Sequence, residues 1–151
     1  METGVEEGPS YTHIVSVLDP DIDELGHANN VAYLRWVQDA AVAHSTAVGL
    51  GYEGYLALGG VFVIRRHEID YLRSALRGDR ILVRTRVSSV ASAQCERQTS
   101  VVRESDGVEL ARAVTTWVYI DPKSGRPTRI HEAVYRAFGF EPRKKRAPEA
   151  P

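Results

Sequence analysis

Residues 19–30 read DPDIDELGHANN and place acidic, histidine and asparagine side chains directly before a segment with helical periodicity. The next stretch, residues 31–48, contains no Gly or Pro, and its apolar residues recur at spacings of three and four. Such a period is typical of an amphipathic helix. Asn29 or Asn30 can cap the start of this helix, and Gly49 can end it in a left-handed conformation. The sequence therefore predicts one long helix after the polar stretch.

The remainder of the chain has the composition of β-strands. Alternation is clearest in residues 80–90, where Ile81 and Val83 fall on one face and Arg84 and Arg86 on the other, as in an antiparallel strand covered on one side. The predicted strands are residues 11–18, 60–72, 80–90, 93–104 and 108–121, and a short helix follows near residues 131–138. This order predicts an α+β domain in which a five-stranded antiparallel sheet wraps around one long central helix.

The bulk composition predicts one soluble, cytoplasmic domain. The 151 residues suit a single core, and the net charge of -1 provides no overall field for nucleic acid. Cys95 is the only cysteine, which fits a reducing compartment, and no stretch has the character of a signal peptide or membrane span. We therefore expect no membrane and no nucleic-acid partner. The expected organisation is a flexible N-terminus over residues 1–10, the folded domain over 11–140 and a disordered basic tail over 141–151.

The acidic stretch matches a calcium loop only in part. Asp19, Asp21 and Asp23 occupy the first, third and fifth positions of that template. The sixth position should be Gly but is Glu24, and the twelfth should be a bidentate Glu but is Asn30. A zinc site would need a distant histidine as a further ligand. The sequence therefore favours a site without metal.

Acyl chemistry is a second interpretation of the same stretch. Asp23 supplies a carboxylate, Gly26 permits close backbone approach, and His27 and Asn30 lie next to the start of the predicted helix. A helix start offers amide groups without internal acceptors, which suits a reaction that develops negative charge on a carbonyl oxygen. The alternative is purely structural, with turns, a helix cap and a hydrogen-bonded histidine. Spacing alone leaves both interpretations open.

Residues 21–33, DIDELGHANNVAY, resemble the signature of hot-dog-fold thioesterases of the 4-hydroxybenzoyl-CoA thioesterase type, which include acyl-ACP thioesterases. In that signature an acid precedes a Gly-His-x-Asn-Asn-x-x-Tyr helix start. Further similarity lies in HEIDYLRSALRGD (residues 67–79), TTWVYID (residues 115–121) and the Gly-Arg-Pro turn at residues 125–127. The resemblance covers residues 11–140. It implies a hot-dog fold and hydrolysis of an acyl-CoA or acyl-ACP thioester without a cofactor.

The resemblance also implies roles for the motif residues. Asp23 falls on the position of the catalytic carboxylate, which acts on water as a general base or attacks the acyl carbon itself. The backbone amide of Asn30 falls where the family polarises the thioester carbonyl. His27 either orients substrate, water or carboxylate, or it pins the loop. The expected substrate-binding positions are Gly26, Asn29 and Tyr33. The asparagine also suits a helix cap, and the tyrosine also suits packing at the helix base.

The resemblance is incomplete and leaves alternatives. Plant acyl-ACP thioesterases carry an asparagine two residues after the acid, where this chain has Leu25, so their arrangement does not transfer as a whole. A non-hydrolytic acyl-thioester-binding module or sensor and a hot-dog dehydratase or hydratase share the fold. The acyl group stays open, with Tyr55, Val61 and Phe62 expected to line its pocket. Because the family's site lies between two subunits, a homodimer or a dimer of dimers is expected.

Overall fold

One antiparallel sheet and one long helix form the framework of the computed structural model, which describes residues 8–142. The strands are β1 (Tyr11–Ser16), β2 (Val61–Tyr71), β3 (Arg80–Ala91), β4 (Gln94–Arg103) and β5 (Glu109–Ile120). They lie in the order β1-β3-β4-β5-β2, and every neighbouring pair is antiparallel. The predicted sheet is confirmed. The expected flexible N-terminus (residues 1–10) and disordered basic tail (residues 141–151) lie largely outside the described residues.

The long helix α1 (Asn30–Ala47) begins and ends within one residue of its predicted bounds. The side chain of Asn29 accepts a hydrogen bond from the Ala32 amide at 2.8 Å, so Asn29 is the cap. Gly49 follows the last turn with a φ of 85°, a left-handed conformation that glycine adopts without steric cost. Both predicted ends of the helix are therefore confirmed.

The inner face of α1 packs against the sheet through aromatic and small side chains. Trp36 and Val37 are buried, and Ala32 and Ala40 are small enough for the helix backbone to approach the strands. The buried sheet residues of the same cluster are Ile81, Val83, Val101, Leu110, Ala111 and Ala113. Burial of each large side chain of this kind contributes about 1.5–3 kcal/mol. This packing fixes the start of the helix, and the polar loop before it, relative to the sheet.

Two short helices, α2 (Tyr52–Ala57) and α3 (Glu132–Ala137), pack around a second buried cluster. They contribute Tyr55, Val134 and Tyr135 to it. The sequence predicts α3 but not α2, because glycines before, within and after α2 resemble a loop composition. Within residues 8–142, none of the helices is long and apolar enough to cross a membrane.

Candidate functional site

The loop before α1 is held by a buried acid, Asp21, which is only 4% exposed. One carboxylate oxygen accepts a hydrogen bond from the Leu18 amide at 3.0 Å, and the other forms an ion pair with Arg35 on α1. The Asp21 carbonyl accepts hydrogen bonds from the backbone and side-chain amides of Asn29 at 2.8 and 3.0 Å. Asp21 therefore holds the short 3-10 helix to which it belongs (Asp19–Asp21) against the start of α1.

Asp23 lies two residues later and is exposed. Its Oδ1 accepts hydrogen bonds from the Leu25 amide at 2.9 Å and from the His27 amide at 3.4 Å. Gly26, with a φ of 78°, allows the tight turn between them. Among residues 8–142, no donor bonds to the other oxygen, Oδ2. The loop thus orients the carboxylate through one oxygen and leaves the other available.

The start of α1 supplies backbone donors next to this loop. The Ala32 amide is bonded to the Asn29 side chain. The amides of Asn30 and Val31 belong to the first turn, which by helix geometry has no internal acceptor. The aligned peptide dipoles add partial positive charge at the same place. A carbonyl oxygen that gains negative charge is stabilised in such a position.

His27 joins the loop to the connection between β2 and β3. Its Nδ1 lies 3.3 Å from the Ser74 hydroxyl oxygen, and its backbone forms an isolated β-bridge with Leu76. These contacts agree with a histidine that pins the loop. The residue is nevertheless exposed, so the same ring is accessible to a bound substrate or water.

Tyr33 lies beneath the site, only 3% exposed. Its hydroxyl donates to the Arg73 carbonyl at 3.2 Å and accepts a hydrogen bond from the Ala75 amide at 2.8 Å. Burial raises the pKa of Tyr33, which keeps the hydroxyl protonated for that donation. Asn29 is likewise occupied by bonds to backbone groups. Four of the six sequence-predicted positions are exposed, namely Asp23, Gly26, His27 and Asn30, whereas Tyr33 is buried and Asn29 partly buried.

The acidic residues of this loop are bonded separately. Within the part of the chain that the structure describes, no group of three or more His, Cys, Asp or Glu residues is arranged to hold an ion. The acids of the loop instead have separate functions in its folding. Asp19 forms an exposed ion pair with Arg77, and Asp21 is bonded as described above.

A cavity of about 210 Å³ lies beside the second half of α1, near α2. It is lined by Tyr55, Val61 and Phe62, the residues that the sequence analysis expects around the acyl group, together with Trp117 and Arg97. The sequence analysis does not predict Arg97 as a lining residue, because an arginine within a strand pattern is usually exposed. The signal available was the alternation of β4, which places Arg97 on the same face as Cys95 and Thr99, and all three are buried in the structure.

Arg97 is bonded to a second buried residue, His44 of α1. The Nη1 of Arg97 donates to the His44 Nδ1 at 2.9 Å, and the imidazole stacks on Tyr11 with ring centroids 5.3 Å apart. Burial, and to a smaller extent the Arg97 guanidinium, lower the pKa of His44 to about 4. The neutral imidazole is therefore the form that the folded protein holds at neutral pH.

We expect this histidine to make the protein sensitive to mild acid. The unfolded chain binds a proton at His44 as the pH falls through 6.5, whereas the folded chain binds it only near pH 4, so stability is lost between these values. From pH 7 to pH 5 the loss in unfolding free energy should be roughly 2 kcal/mol. Urea denaturation at both pH values measures it. The variant His44→Gln keeps a hydrogen-bond acceptor but should lack this loss; an identical loss in both proteins would contradict the assignment.

The five-stranded antiparallel sheet around a central helix is the hot-dog fold, and an acid beside the helix start is the arrangement expected of its thioesterases. Residues 17–138 match the family model of the thioesterase-like superfamily, and the chain belongs to that superfamily.

Similar proteins carry thioesterase names. The chloroplast acyl-acyl carrier protein thioesterase ATL2 of Arabidopsis thaliana is 26% identical over 125 residues, or 83% of this chain. A thioesterase of Thermus thermophilus, solved with coenzyme A and zinc, is 28% identical with a TM-score of 0.74, covering 88% of this chain and 94% of that one. A 1,4-dihydroxy-2-naphthoyl-CoA thioesterase of Synechocystis has a TM-score of 0.79 at 19% identity, covering 86% and 96%. At 19% identity, the likeness to the Synechocystis enzyme shows the fold alone. The chain spans 66% and 45% of the length of the curated relatives it matches.

Proposed function

We propose that the chain hydrolyses an acyl thioester, carried by coenzyme A or by acyl carrier protein, to a free acid and a thiol. The main support is the position of Asp23, whose Oδ1 is fixed by loop amides while Oδ2 is available, in the loop that leads into the open first turn of α1. The superfamily and the relatives named for thioesterase activity agree with this reaction.

The proposed mechanism uses the helix start and the carboxylate together. The Asn30 amide donates to the thioester carbonyl oxygen, where negative charge develops; one such donor is worth about 10²–10³ in rate. Asp23 takes a proton from water, whose oxygen bonds to the acyl carbon. The carbon–sulfur bond then breaks, and the leaving thiolate receives that proton back from Asp23. General-base catalysis of this kind contributes about 10²–10⁴. A mixed anhydride formed by direct attack of Asp23, then hydrolysed, uses the same residues.

The remaining motif residues are proposed to position the Asp23 carboxylate and the start of α1. Gly26 lets the backbone turn so that Asp23 and His27 lie close together. The exposed His27 ring orients substrate or water while its contact with Ser74 holds the loop. Asn29 and Tyr33 support the site from below, since their polar atoms are bonded to the backbone.

A second copy of the chain is proposed to complete the site. Asp23 is exposed in the single chain, whereas a thioester carbonyl is best polarised where water is excluded. Within residues 8–142, β2 is an edge strand with an open side, and such edges readily pair with another strand. The exposed large apolar side chains on β2 and its neighbours α1 and α2 are Val31, Val42, Tyr52, Leu56, Val63 and Tyr71. Covering them in a homodimer would bury this surface and enclose the loop.

We expect the variant Val63→Lys to separate the subunits, because a charge on the paired edge would be buried without a partner. Val63 is 41% exposed in the single chain. Sedimentation equilibrium should show a monomer, and turnover should fall at least about tenfold because the site is incomplete. Ile14→Lys on the opposite edge strand β1, where Ile14 is 48% exposed, is the matched control and should leave the dimer intact. A Val63→Lys dimer with full activity would contradict the proposed interface.

The reaction is tested by free-thiol release from a panel of acyl-CoA and acyl-ACP thioesters with aromatic, short and long acyl groups. Release above the uncatalysed rate with at least one substrate is expected. A protein that binds these thioesters tightly and releases no thiol would be a binding module rather than a hydrolase, and hydration of enoyl thioesters without thiol release would indicate a hydratase.

A further inference from the structure

The cavity beside α1 has an apolar wall and a size suited to a small molecule. Leu50, Val61, Phe62, Val87 and Phe138 contribute apolar surface. Its volume of about 210 Å³ exceeds the roughly 150 Å³ of an engineered protein cavity that takes up benzene. Ser45 on the same wall lies fifteen residues after Asn30, which corresponds to about 22 Å along the helix. The cavity is therefore separate from the catalytic loop of its own chain.

A buried cation, Arg97, lines this cavity. Arg97 is only 4% exposed. Its Nη1 donates to the His44 Nδ1 at 2.9 Å and to the Thr85 hydroxyl at 3.0 Å, and the guanidinium carbon lies 5.6 Å from the centre of the Phe138 ring. All three partners are neutral. They satisfy one nitrogen of the guanidinium but do not compensate its charge, and within residues 8–142 no carboxylate forms an ion pair with it.

Among residues 8–142, no other group on the cavity wall balances that charge. Of the described residues that line the cavity, Arg97 is the one that is ionised at neutral pH, since burial raises the pKa of Tyr55 and of Cys95 to about 12 each. Trp117 also lines the cavity, and its indole Nε1 is buried without an acceptor among the described residues. A buried cation costs free energy unless an anion pairs with it, and a buried donor costs free energy unless it is bonded.

We infer that the cavity binds a carboxylic acid with a compact apolar body, its carboxylate paired with the Arg97 guanidinium and its body against the apolar wall. A carboxylate matches the guanidinium in charge and in planar geometry. The volume suits a body of benzoate or hexanoate size. The carboxylate belongs either to a free acid, such as the reaction releases, or to the far end of a dicarboxylic acyl group whose thioester is held at the catalytic loop of the second subunit in the proposed dimer. Only the source of the carboxylate rests on the proposed function, because binding of a carboxylic acid in the cavity requires no turnover.

Isothermal titration calorimetry with matched pairs of ligands tests the binding. Benzoate is compared with benzamide and hexanoate with hexanamide, since each pair has the same shape but differs in charge. The acids should bind at least about tenfold more tightly than the amides, because hydrogen bonds to a charged group are the stronger ones. Equal binding of acid and amide by the native protein would overturn the inference, whatever any variant does.

Three variants locate the binding. Arg97→Gln should remove the preference for the acid. Ala41→Leu places extra bulk on the cavity wall and keeps Arg97, so it should weaken binding of acid and amide alike and covers the case in which Arg97→Gln fails to fold. Arg84→Gln removes an exposed arginine of the same sheet and is the matched control, expected to bind as the native protein does. A preference for the acid that survives in a folded Arg97→Gln protein, or native binding of both ligands by a folded Ala41→Leu protein, would contradict the site.

Turnover of adipoyl-CoA and hexanoyl-CoA distinguishes the two sources of the carboxylate. A preference for adipoyl-CoA in kcat/KM that Arg97→Gln abolishes assigns the carboxylate to the acyl tail. Equal turnover, with binding of the free acids retained, assigns it to a free acid. If neither thioester nor any other of the panel is hydrolysed, the proposed function fails while the calorimetry still decides whether the cavity binds carboxylates.

Discussion

Replacement of Asp23 by Asn is expected to lower thioester turnover at least about a hundredfold, the usual scale of base catalysis. Asparagine keeps an oxygen that accepts the Leu25 and His27 amides, which the Oδ1 of Asp23 now accepts at 2.9 and 3.4 Å. The loop should therefore stay folded while the basic or nucleophilic oxygen is lost. Free-thiol release gives kcat and KM, and thermal unfolding shows whether the fold is retained.

The neighbouring acid Glu24 provides the matched control for Asp23. Glu24 is also exposed, and Glu24→Gln removes the same unit of charge one residue away. Its turnover should stay within about twofold of the native value, as for most surface substitutions away from special features. Equal turnover by Asp23→Asn and the native protein would remove Asp23 from the mechanism. Unchanged ligand affinity without turnover in either protein would indicate the sensor that shares this fold.

The helix and its preceding loop could be predicted because both depend on local chemistry. A cap at Asn29, an uninterrupted helical period and a glycine at position 49 are readable from neighbouring residues alone. The different environments of the two acids, however, depend on contacts distant in sequence. Asp21 is buried because Arg35, fourteen residues later, pairs with it, while Asp23 two positions on stays exposed.

The strand order and the cavity could not be predicted in the same way. Turn residues indicate hairpins only between strands that follow one another closely, whereas β2 pairs with β5 across the whole of β3 and β4. This long-range pairing, together with α2, forms the cavity wall. The inward position of Arg97 follows from the register of β4 in the finished sheet, and a charged residue at such a position contradicts the usual rule that arginine lies outside.

Tyr33→Ala is expected to lower the free energy of unfolding by about 3–5 kcal/mol, as for other buried aromatic side chains. The ring is in contact with Trp36 and Tyr71, with centroids 5.1 and 5.4 Å apart, and its loss leaves a hole below the site. Urea denaturation measures the change. The result distinguishes the two roles expected for Tyr33. If Tyr33 binds substrate, its replacement should raise KM, whereas if it packs at the base of the helix, its replacement should lower stability.

Tyr33→Phe isolates the contribution of the hydroxyl to that support. The variant keeps the ring but leaves the Ala75 amide and the Arg73 carbonyl without this partner, so unfolding should become easier by about 1–3 kcal/mol. Because Ala75 is fully buried, water cannot replace the bond there. Tyr52→Phe, at an exposed tyrosine, is the control and should change stability by less than about 0.5 kcal/mol. A Tyr33→Phe protein with native stability and a raised KM would show instead that the hydroxyl contacts the substrate, and that the loop between β2 and β3 is held by other bonds.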